Sequence, residues 1–398
     1  MRQKRIMILG ANAGQVKVIE KALHLGYYVI TADIHPDAPG HAISDEQLYI
    51  DITNRHIVLK EARRLHIDGI TPYWSDVLTP ISTFVAEQMN IPGNLTHTIQ
   101  LMTQKQLFRQ FLADNNFPTP KAKECRTTEE AIAFFNSIDT PAIIKPIDSS
   151  GSKGVFKICS ADDILAHFHE SIEYSIQGSV IIEEFIETDL PQQDGDIFVI
   201  DGKVALWGIC EQHKDTHLAP FTPATLILPS GIDCQINEKA KQLIQNLITA
   251  LNYRNGPCNV EYIVSRDGQI FILDIGPRNG GNMIPQIINL AMGYDITSMT
   301  LQAAVGDKVV MKEKKHKPYA TSMVVHTDRE GIYHGMTLDK RLQQYLCDSL
   351  ILKKEGERVN RFRSGKDTIA CLAFSFDSKE EMEAALDKEL IKVHVSDE

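Results

Sequence analysis

Short apolar runs alternate with stretches of helical periodicity in the first part of the chain. Residues 5–9 and 28–32 are apolar runs of β character, and residues 16–23 between them carry apolar side chains at the spacing of one helix face. A helix near 54–66 and a strand end at 69–72 continue the alternation. Strands that alternate with helices form a parallel sheet, so the pattern predicts a Rossmann-like domain.

The pattern changes near residue 97, where helices and strands no longer alternate regularly. It predicts helices at 103–115, 128–137, 237–251, 283–292 and 295–305, and strands at 141–146, 179–184, 196–210, 258–265 and 269–275. Beyond the lysine-rich stretch at 312–317, it predicts apolar segments at 320–326, 349–352 and 369–376, a helix at 378–388 and a strand at 391–395. We therefore predict an α/β and α+β fold with three domains: residues 1–95, residues 96–310 with a lid subdomain at about 120–187, and residues 311–398.

Charge and composition limit the possible partners. The formal net charge is -11, whereas a nucleic-acid surface needs basic groups that neutralise phosphates. No stretch approaches the roughly 18 apolar residues of a membrane helix, and the apolar run that stops at Gly10 is too short for a signal peptide. The seven cysteines include no CxxC pair, which fits a reducing compartment. We therefore expect a cytoplasmic protein with neither nucleic-acid nor membrane partners.

Two acids near a tight turn are the strongest chemical signal. Glu261 and Asp274 lie on apolar segments joined by an Arg-Asp-Gly turn, which is typical of a hairpin. In an antiparallel pair their carboxylates can lie side by side on one face, where Mg²⁺ would bind both acids together with phosphate oxygens. Arg278 could bind a phosphate or carboxylate with two hydrogen bonds. The alternative is an ordinary hairpin with solvent-facing acids.

A lysine followed by a Ser/Gly-rich segment is the second signal. Lys145 ends a predicted buried strand, and residues 149–154 read Ser-Ser-Gly-Ser-Lys-Gly. Backbone N–H groups and hydroxyls of such a loop can surround phosphates, although the P-loop pattern is absent. Glycine loops are common, so a plain surface loop is the alternative.

Two further segments have weaker meanings. The apolar run 180–187 ends in acids and could present edge backbone groups to an adenine ring, or it could simply be an edge strand with a solvated end. The Gly10-x-x-x-Gly14 segment, with Asp33 at the end of the second strand, lacks the middle glycine of the dinucleotide fingerprint. A scaffold whose helix N-terminus faces a cleft is the better interpretation.

In this order, these segments resemble the ATP-grasp superfamily over nearly the whole chain. The segment MILGANAGQVKVIEKALHLGYYVITADIHPDAPG resembles a pre-ATP-grasp domain. The branch of the superfamily that it resembles contains carbamoyl-phosphate synthase, biotin carboxylase and the purine-pathway ligases. The entry to the grasp domain is similar to TQKQLFRQFLADNNFPTP, and the central lysine with its phosphate-covering loop to PAIIKPIDSSGSKGV. The adenine hinge resembles VIIEEFIE, and the metal-binding hairpin resembles CNVEYIVSRDGQIFILDIGPRNGG. The resemblance implies a pre-ATP-grasp domain, an ATP-grasp domain and a small C-terminal α+β domain.

The resemblance also implies ATP and one or two Mg²⁺ ions as cofactors, with Mn²⁺ as a possible substitute. Lys145 would contact phosphates near the adenine, and Arg278 would stabilise the transferred phosphoryl group or the acyl phosphate. The full set comprises the catalytic residues Arg278 and Lys145, the metal ligands Glu261 and Asp274, and the nucleotide-binding residues Lys105, Lys145, Ser150, Gly151, Ser152, Gly154, Glu183, Glu184, Ile186 and Gln192.

Three departures from the family pattern affect this assignment. The second metal acid is Asp274 where the family usually has Glu, and Gly276 stands where the family often has Asn. Asn282 could compensate for the missing ligand. The ribose-binding acid corresponds to Gln192, with Glu187 and Asp189 as rivals.

The expected reaction is an ATP-dependent ligation that joins a small-molecule carboxylate to an amine through an acyl phosphate. Arg278 or residues 212–214 could bind the substrate carboxylate, although His213 could equally be a solvated loop residue. One alternative is a bicarbonate-activating carboxylase or carbamoyl-phosphate-type enzyme. A nucleotide-binding regulator without catalysis and a nicotinamide-dependent oxidoreductase are the others. The substrate pair stays open, and a homodimer is one of the assemblies left open.

Overall fold

The computed structural model describes residues 2–149, 151–386 and 390–397. Its N-terminal part contains the strands β1 (Arg5–Leu9), β2 (Tyr28–Asp33), β3 (Glu46–Tyr49) and β4 (Gly69–Thr71) and the helices α1 (Val16–His24), α2 (Arg55–Arg64) and α3 (Thr79–Met89). The four strands are parallel in the order β3-β2-β1-β4. β1 and β2 are almost wholly buried, as expected for a parallel sheet with helices packed against it.

A small antiparallel sheet, here called the lid sheet, follows the helices α4 (Thr96–Thr103) and α5 (Lys105–Asp114). Its strands are β5 (Ala122–Cys125), β6 (Ala142–Pro146), β7 (Phe156–Ile158) and β8 (Val180–Glu184), in the order β5-β8-β6-β7. The helices α6 (Thr128–Phe135) and α7 (Ala161–Glu173) pack against it around Ile144, Ile182 and Phe168. A capping box between Ser160 and Asp163 fixes the start of α7.

An eight-stranded antiparallel sheet, here called the main sheet, forms the largest layer. It begins with β9 (Gln192–Ile200), β10 (Lys203–Asp215), β11 (Ala219–Leu228), β12 (Gly256–Val264) and β13 (Ile270–Gly276), accompanied by the helices α8 (Cys234–Ala250), α9 (Ile284–Met292) and α10 (Ile296–Ala304). The chain then adds β14 (Tyr319–Val325), β15 (Gly331–Leu338), α11 (Lys340–Gln343), β16 (Leu346–Ile351), β17 (Arg358–Val359), β18 (Ala370–Phe376), α12 (Lys379–Ala385) and β19 (Ile391–Ser396). The order in the main sheet is β13-β12-β9-β10-β11-β14-β18-β16, and a small sheet has the order β17-β15-β19.

The fold class predicted from the sequence is confirmed, whereas the predicted strand at 196–210 is wrong. The single strand at 196–210 is two strands, β9 and β10, because the chain turns back at Asp201 and Gly202, both with positive φ. The predicted helix at 103–115 corresponds to α5, and the extended backbone of Gln104 separates it from the preceding helix α4.

Several strands and helices were not predicted, and the domain boundaries stay predictions. No such element was predicted for the strands β3, β5, β7, β11, β15 and β17 or for the helices α3, α4, α7 and α11. The predicted helix at 378–388 corresponds to α12, and its last two residues lie outside the described part of the chain. The division at 95 and 310 stays a prediction, although β11 pairs with β14 and so carries the main sheet past residue 310.

Within the described ranges, no helix combines the length and the apolar character that crossing a membrane requires.

Candidate active site

A cleft of about 870 Å³ lies where the lid sheet, the main sheet and the loop after β4 meet. Its walls include Asp76 from the N-terminal part, Lys145 from the lid sheet, and Glu261 and Asp274 from the main sheet. This volume falls within the range of roughly 300–1,000 Å³ that is usual for small-molecule sites. The position between lobes allows one ligand to touch residues that are far apart in the sequence.

Two acids lie side by side on the floor of the cleft. Glu261 and Asp274 are direct cross-strand neighbours in the β12–β13 pair, as the hairpin in the sequence predicted. Burial, followed by repulsion from Asp194 and Asp274, raises the pKa of Glu261. This donor set fits a cation, which would relieve the repulsion between the carboxylates.

The acids would not enclose a cation by themselves. Among the residues that the structure describes, no group of three or more His, Cys, Asp or Glu side chains is placed to hold a metal ion. Mg²⁺ commonly uses one or two carboxylates and completes its octahedron with phosphate oxygens and water. The pair is therefore suited to a cation that arrives with a phosphorylated ligand.

Three basic side chains, here called the cation cluster (Lys105, Arg109 and Lys145), lie beside this acidic pair. Lys145 Nζ is 2.7 Å from Glu183 Oε2, and Arg109 Nε is 2.8 Å from Glu183 Oε1. Lys105 Nζ is 3.8 Å from Asp274 Oδ2. The structure thus brings Lys105 and Lys145 to one place, together with Glu183 and Asp274.

The cation cluster carries more charge than the two acids that it contacts, Glu183 and Asp274. Burial opposes the ionisation of Glu183, but Arg109 and Lys145 outweigh it and lower the pKa of that carboxyl to about 2. Burial also lowers the pKa of Lys145, and Arg109 and Lys105 act in the same direction against the pull of Glu183. Three cations thus face two acids, which favours the binding of an anion such as a polyphosphate.

The predicted adenine hinge lies along the edge of the cleft next to β8. Glu183 is only 2% exposed, and its carboxylate is engaged by Arg109 and Lys145, so its side chain supports the cation cluster. Glu184 and Ile186 line the cleft, and the Glu184 carboxylate accepts a hydrogen bond from Lys121 N–H at 3.2 Å. Edge contacts with a flat ring would therefore fall to Glu184 and Ile186.

Gln192 lies between an acid and a lysine in the floor of the cleft. Its Nε2 donates to Glu261 Oε2 at 2.8 Å, and its Oε1 accepts from Lys214 Nζ at 2.8 Å. Both ends of the amide are thus occupied by protein groups. The ribose contact suggested for Gln192 would require the side chain to give up at least one of these bonds.

Arg278 faces the N-terminal lobe across the cleft. Its Nε and Nη2 donate to the two carboxylate oxygens of Asp76, both at 2.8 Å. Burial works against the charge, but Asp76 outweighs it and raises the pKa of the guanidinium. The adjoining backbone is also tied across the cleft, because Asn279 N–H donates to the carbonyl of Tyr73, a residue with a φ of 59°.

The Ser/Gly-rich loop after β6 is held over the cleft by contacts outside the lid sheet. The Gly151 carbonyl accepts from Gly365 N–H at 3.1 Å, and Ser152 Oγ donates to the Phe221 carbonyl at 2.7 Å. Gly154 has a φ of 66° and packs against Tyr174, where a Cβ atom would come within 2.9 Å of the ring. Ser150, also predicted to bind the nucleotide, lies outside the described residues.

Sequence reasoning missed several charged residues of the cleft region. Arg109 follows Lys105 by four positions on α5, so the two share a helix face, and that spacing could have identified it. Asp194 and Asp196 are two positions apart on β9, so their side chains point to the same face of the sheet. The Asp196 carboxylate accepts a hydrogen bond from Gly280 N–H at 2.8 Å. Asp76 could not have been found, because only the folded chain brings it to Arg278.

Comparisons with known proteins agree with this architecture. Residues 138–286 match the family model of the ATP-grasp domain. An uncharacterized protein, y4rH, from Sinorhizobium fredii is 25% identical and aligns with 83% of this chain and 69% of its own length. The C-terminal section of the carbamoyl phosphate synthase large chain from Aquifex aeolicus is 22% identical over 76% of this chain, which spans 58% of that relative.

Among solved structures, an L-amino acid ligase from Bacillus licheniformis superposes with a TM-score of 0.83 at 19% identity, and the match covers all of both chains. At this identity the likeness establishes the fold. The match of the family model covers the lid sheet from β6 onward, both acids of the hairpin and Arg278. Residues 138–286 of the chain therefore form an ATP-grasp domain.

Proposed function

We propose that this protein is an ADP-forming ligase that activates a small carboxylic acid with MgATP and joins it to an amine. One observation carries the proposal: Glu261 and Asp274 are paired directly beside the cation cluster within a single cleft. Cation-binding acids and phosphate-binding bases are the parts that phosphoryl transfer needs, because most of the work of such a protein is positioning and charge neutralisation.

The nucleotide would lie along the lid side of the cleft. Lys105 and Lys145 would hold its phosphates, and Ile186 and Glu184 would face the adenine at the edge of β8. Glu261 and Asp274 would hold one or two Mg²⁺ ions, which would neutralise charge on the phosphates. The loop at 151–154 would cover the phosphates, where Gly151 and Ser152 offer backbone and hydroxyl groups.

The reaction would proceed in two balanced steps. A carboxylate oxygen of the acid attacks the γ-phosphorus of ATP, so that ADP leaves and an acyl phosphate forms. The amine then attacks the acyl carbon, inorganic phosphate leaves with that carboxylate oxygen, and the nitrogen loses a proton. Arg278 would neutralise the charge on the transferred group, while its bonds to Asp76 orient the guanidinium.

The assay is ADP release with ATP, Mg²⁺ and a panel of amino acids, alone and in pairs. We expect turnover only when an acid and an amine are both present, and hydroxylamine should trap the acyl phosphate as a hydroxamate. Glu261→Gln should lower turnover by at least a hundredfold, because it removes one of the two carboxylates for the cation. Asp267→Asn is the matched control, since Asp267 lies exposed in the turn of the same hairpin.

Three outcomes would count against the proposal. Equal turnover by Glu261→Gln and the wild type would show that the reaction does not need the Glu261 carboxylate. Tight MgATP binding without turnover on any acid and amine would favour a regulator. ADP release that depends on bicarbonate alone would favour the carboxylase-type reaction, towards which the similarity to a carbamoyl phosphate synthase section points.

A further inference from the structure

Lys214 is a basic group of the cleft that the steps above do not use. It lies on β10, lines the cleft, and donates from Nζ to the neutral Oε1 of Gln192 at 2.8 Å. Within the described ranges it forms no ion pair, whereas Lys105 and Lys145 have Asp274 and Glu183. Burial lowers the pKa of Lys214 against the more distant pull of Glu261 and Asp194. The direct partner of the ammonium is thus a neutral amide, and its nearest acid, Glu261, lies on the far side of that amide.

Gln212 precedes Lys214 by two positions on β10, and the two share the cleft face, because Gln212 is the cross-strand neighbour of Gln192 and Lys214 donates to the Gln192 side chain. Gln212 lines the cleft and is 3% exposed. In the part of the chain that the structure describes, neither its Oε1 nor its Nε2 has a hydrogen-bond partner. Buried polar atoms are nearly always paired, so an amide with both ends unpaired marks a place where a partner is missing.

The order of strands separates this pair from the phosphate side of the cleft. Asp274, Glu261 and Gln192 lie on β13, β12 and β9, and β10 with Lys214 comes next. Strands are about 4.8 Å apart, so the backbone of β10 at Lys214 lies roughly 14 Å across the sheet from the backbone of β13 at Asp274. A triphosphate over the acids and the cation cluster therefore leaves the region over β10 free for a second anion.

Taking the proposed ligase function as given, we propose that Lys214 and Gln212 form the subsite for the acid substrate, and that this acid carries an amide group. Lys214 binds the carboxylate that becomes phosphorylated, next to the transferred phosphate above Glu261. Gln212 exchanges one donated and one accepted hydrogen bond with a carboxamide or peptide-like group of the same molecule. A group that only donates, such as an ammonium, or only accepts, such as a second carboxylate, satisfies one end of Gln212 and leaves the other unpaired.

His213 lies between these residues in sequence and also lines the cleft. It is exposed, and its Nε2 is 2.7 Å from Glu211 Oε1. Of the segment 212–214, which the sequence suggested as a whole, the proposed subsite uses Gln212 and Lys214. Lys203 is an exposed lysine at the start of the same strand and does not line the cleft, so Lys203→Met is a matched control for Lys214→Met.

The test is calorimetric binding of amino acids to the full chain saturated with MgADP. Glutamine and asparagine carry the amide, glutamate carries a second carboxylate, and leucine has neither. We expect the better amide to bind at least tenfold more tightly than glutamate or leucine. Gln212→Leu, close in size to the wild-type side chain, should abolish this preference while leucine binding stays within threefold. Lys214→Met should weaken the binding of every acid at least tenfold and leave MgADP affinity within threefold, and Lys203→Met should change neither.

Three results would overturn the assignment. The first is an amide preference that is unchanged in Gln212→Leu. The second is a loss of MgADP affinity in Lys214→Met as large as the loss of acid affinity. The third is a wild type that binds neither glutamine nor asparagine. Thermal unfolding of each apo variant verifies that it is folded before binding is measured. Failure of the ligase proposal appears differently, as amide binding that responds to these variants without any ADP release from ATP.

Discussion

Glutamate 183 offers a quantitative test of the buried charges that support the site. Its carboxylate pairs with Arg109 and Lys145, and both it and Arg109 are under 5% exposed. The pKa of Glu183 falls from 4.5 to about 2 in the folded protein, which corresponds to about 3 kcal/mol of stability at neutral pH. Glu183→Gln removes this charge and leaves two cations buried, and breaking a buried pair from one side typically destabilises by about 3–5 kcal/mol.

The pH dependence of this effect has a definite sign. Because the folded pKa of Glu183 lies below its unfolded value, the stabilisation is fully present above pH 4.5 and is lost as the pH falls towards 2. The contribution of the charge to the free energy of unfolding should therefore be about 3 kcal/mol at pH 7 and less than half of that at pH 3. The difference between wild type and Glu183→Gln should shrink accordingly.

Urea denaturation of both proteins at pH 7 and pH 3 measures this difference. Glu187→Gln is the control, because Glu187 pairs with Arg266 on the surface, where both side chains are about half exposed. Such pairs contribute at most about 1 kcal/mol. A Glu183→Gln variant as stable as the wild type at pH 7, or a difference that is the same at both pH values, would refute the reasoning.

Three further predictions concern other parts of the cleft. Gly14→Ala should destabilise the protein by about 1–3 kcal/mol in urea unfolding, because its Cβ would lie 1.6 Å from the Trp74 ring; unchanged stability would contradict this packing. Asp76→Asn should lower kcat about tenfold or more with MgADP affinity unchanged, because Arg278 loses its ionic partner; an unchanged kcat would contradict the role of Arg278. Lys366→Met should make the 151–154 loop more sensitive to limited proteolysis, since Lys366 Nζ donates to Tyr174 Oη at 2.8 Å beside that loop; equal cleavage rates would contradict the contact.

Local sequence patterns predicted the features that depend on neighbouring residues. The turn at 266–268 predicted the β12–β13 hairpin and sets its register from Val264 to Tyr262. A β-bulge between Glu261 and Tyr262 then shifts the register by one residue and brings Asp274 opposite Glu261, which the turn alone does not determine. The alternation of strands and helices likewise predicted the N-terminal parallel sheet. The strand pair β9–β10 was mistaken for one strand, because its apolar run continues on both sides of the Asp201-Gly202 turn.

Features that depend on distant segments could not be predicted in this way. The pairing of Arg278 with Asp76 joins residues about 200 positions apart, and the ion pair between Arg109 and Glu183 joins a helix to the lid sheet. The sequence suggested Glu183 as an adenine contact because it ends an apolar strand. Its partners were invisible without the fold, and they assign its carboxylate to the cation cluster.

The transfer of oxygen from acid to phosphate tests the central claim most directly. The acid that stimulates ADP release is labelled with ¹⁸O in its carboxylate and incubated with the protein, unlabelled ATP, Mg²⁺ and the amine, and the released phosphate is analysed by mass spectrometry. If the cleft forms an acyl phosphate, each turnover places one ¹⁸O atom in inorganic phosphate. Sustained release of ADP with unlabelled phosphate would contradict the account.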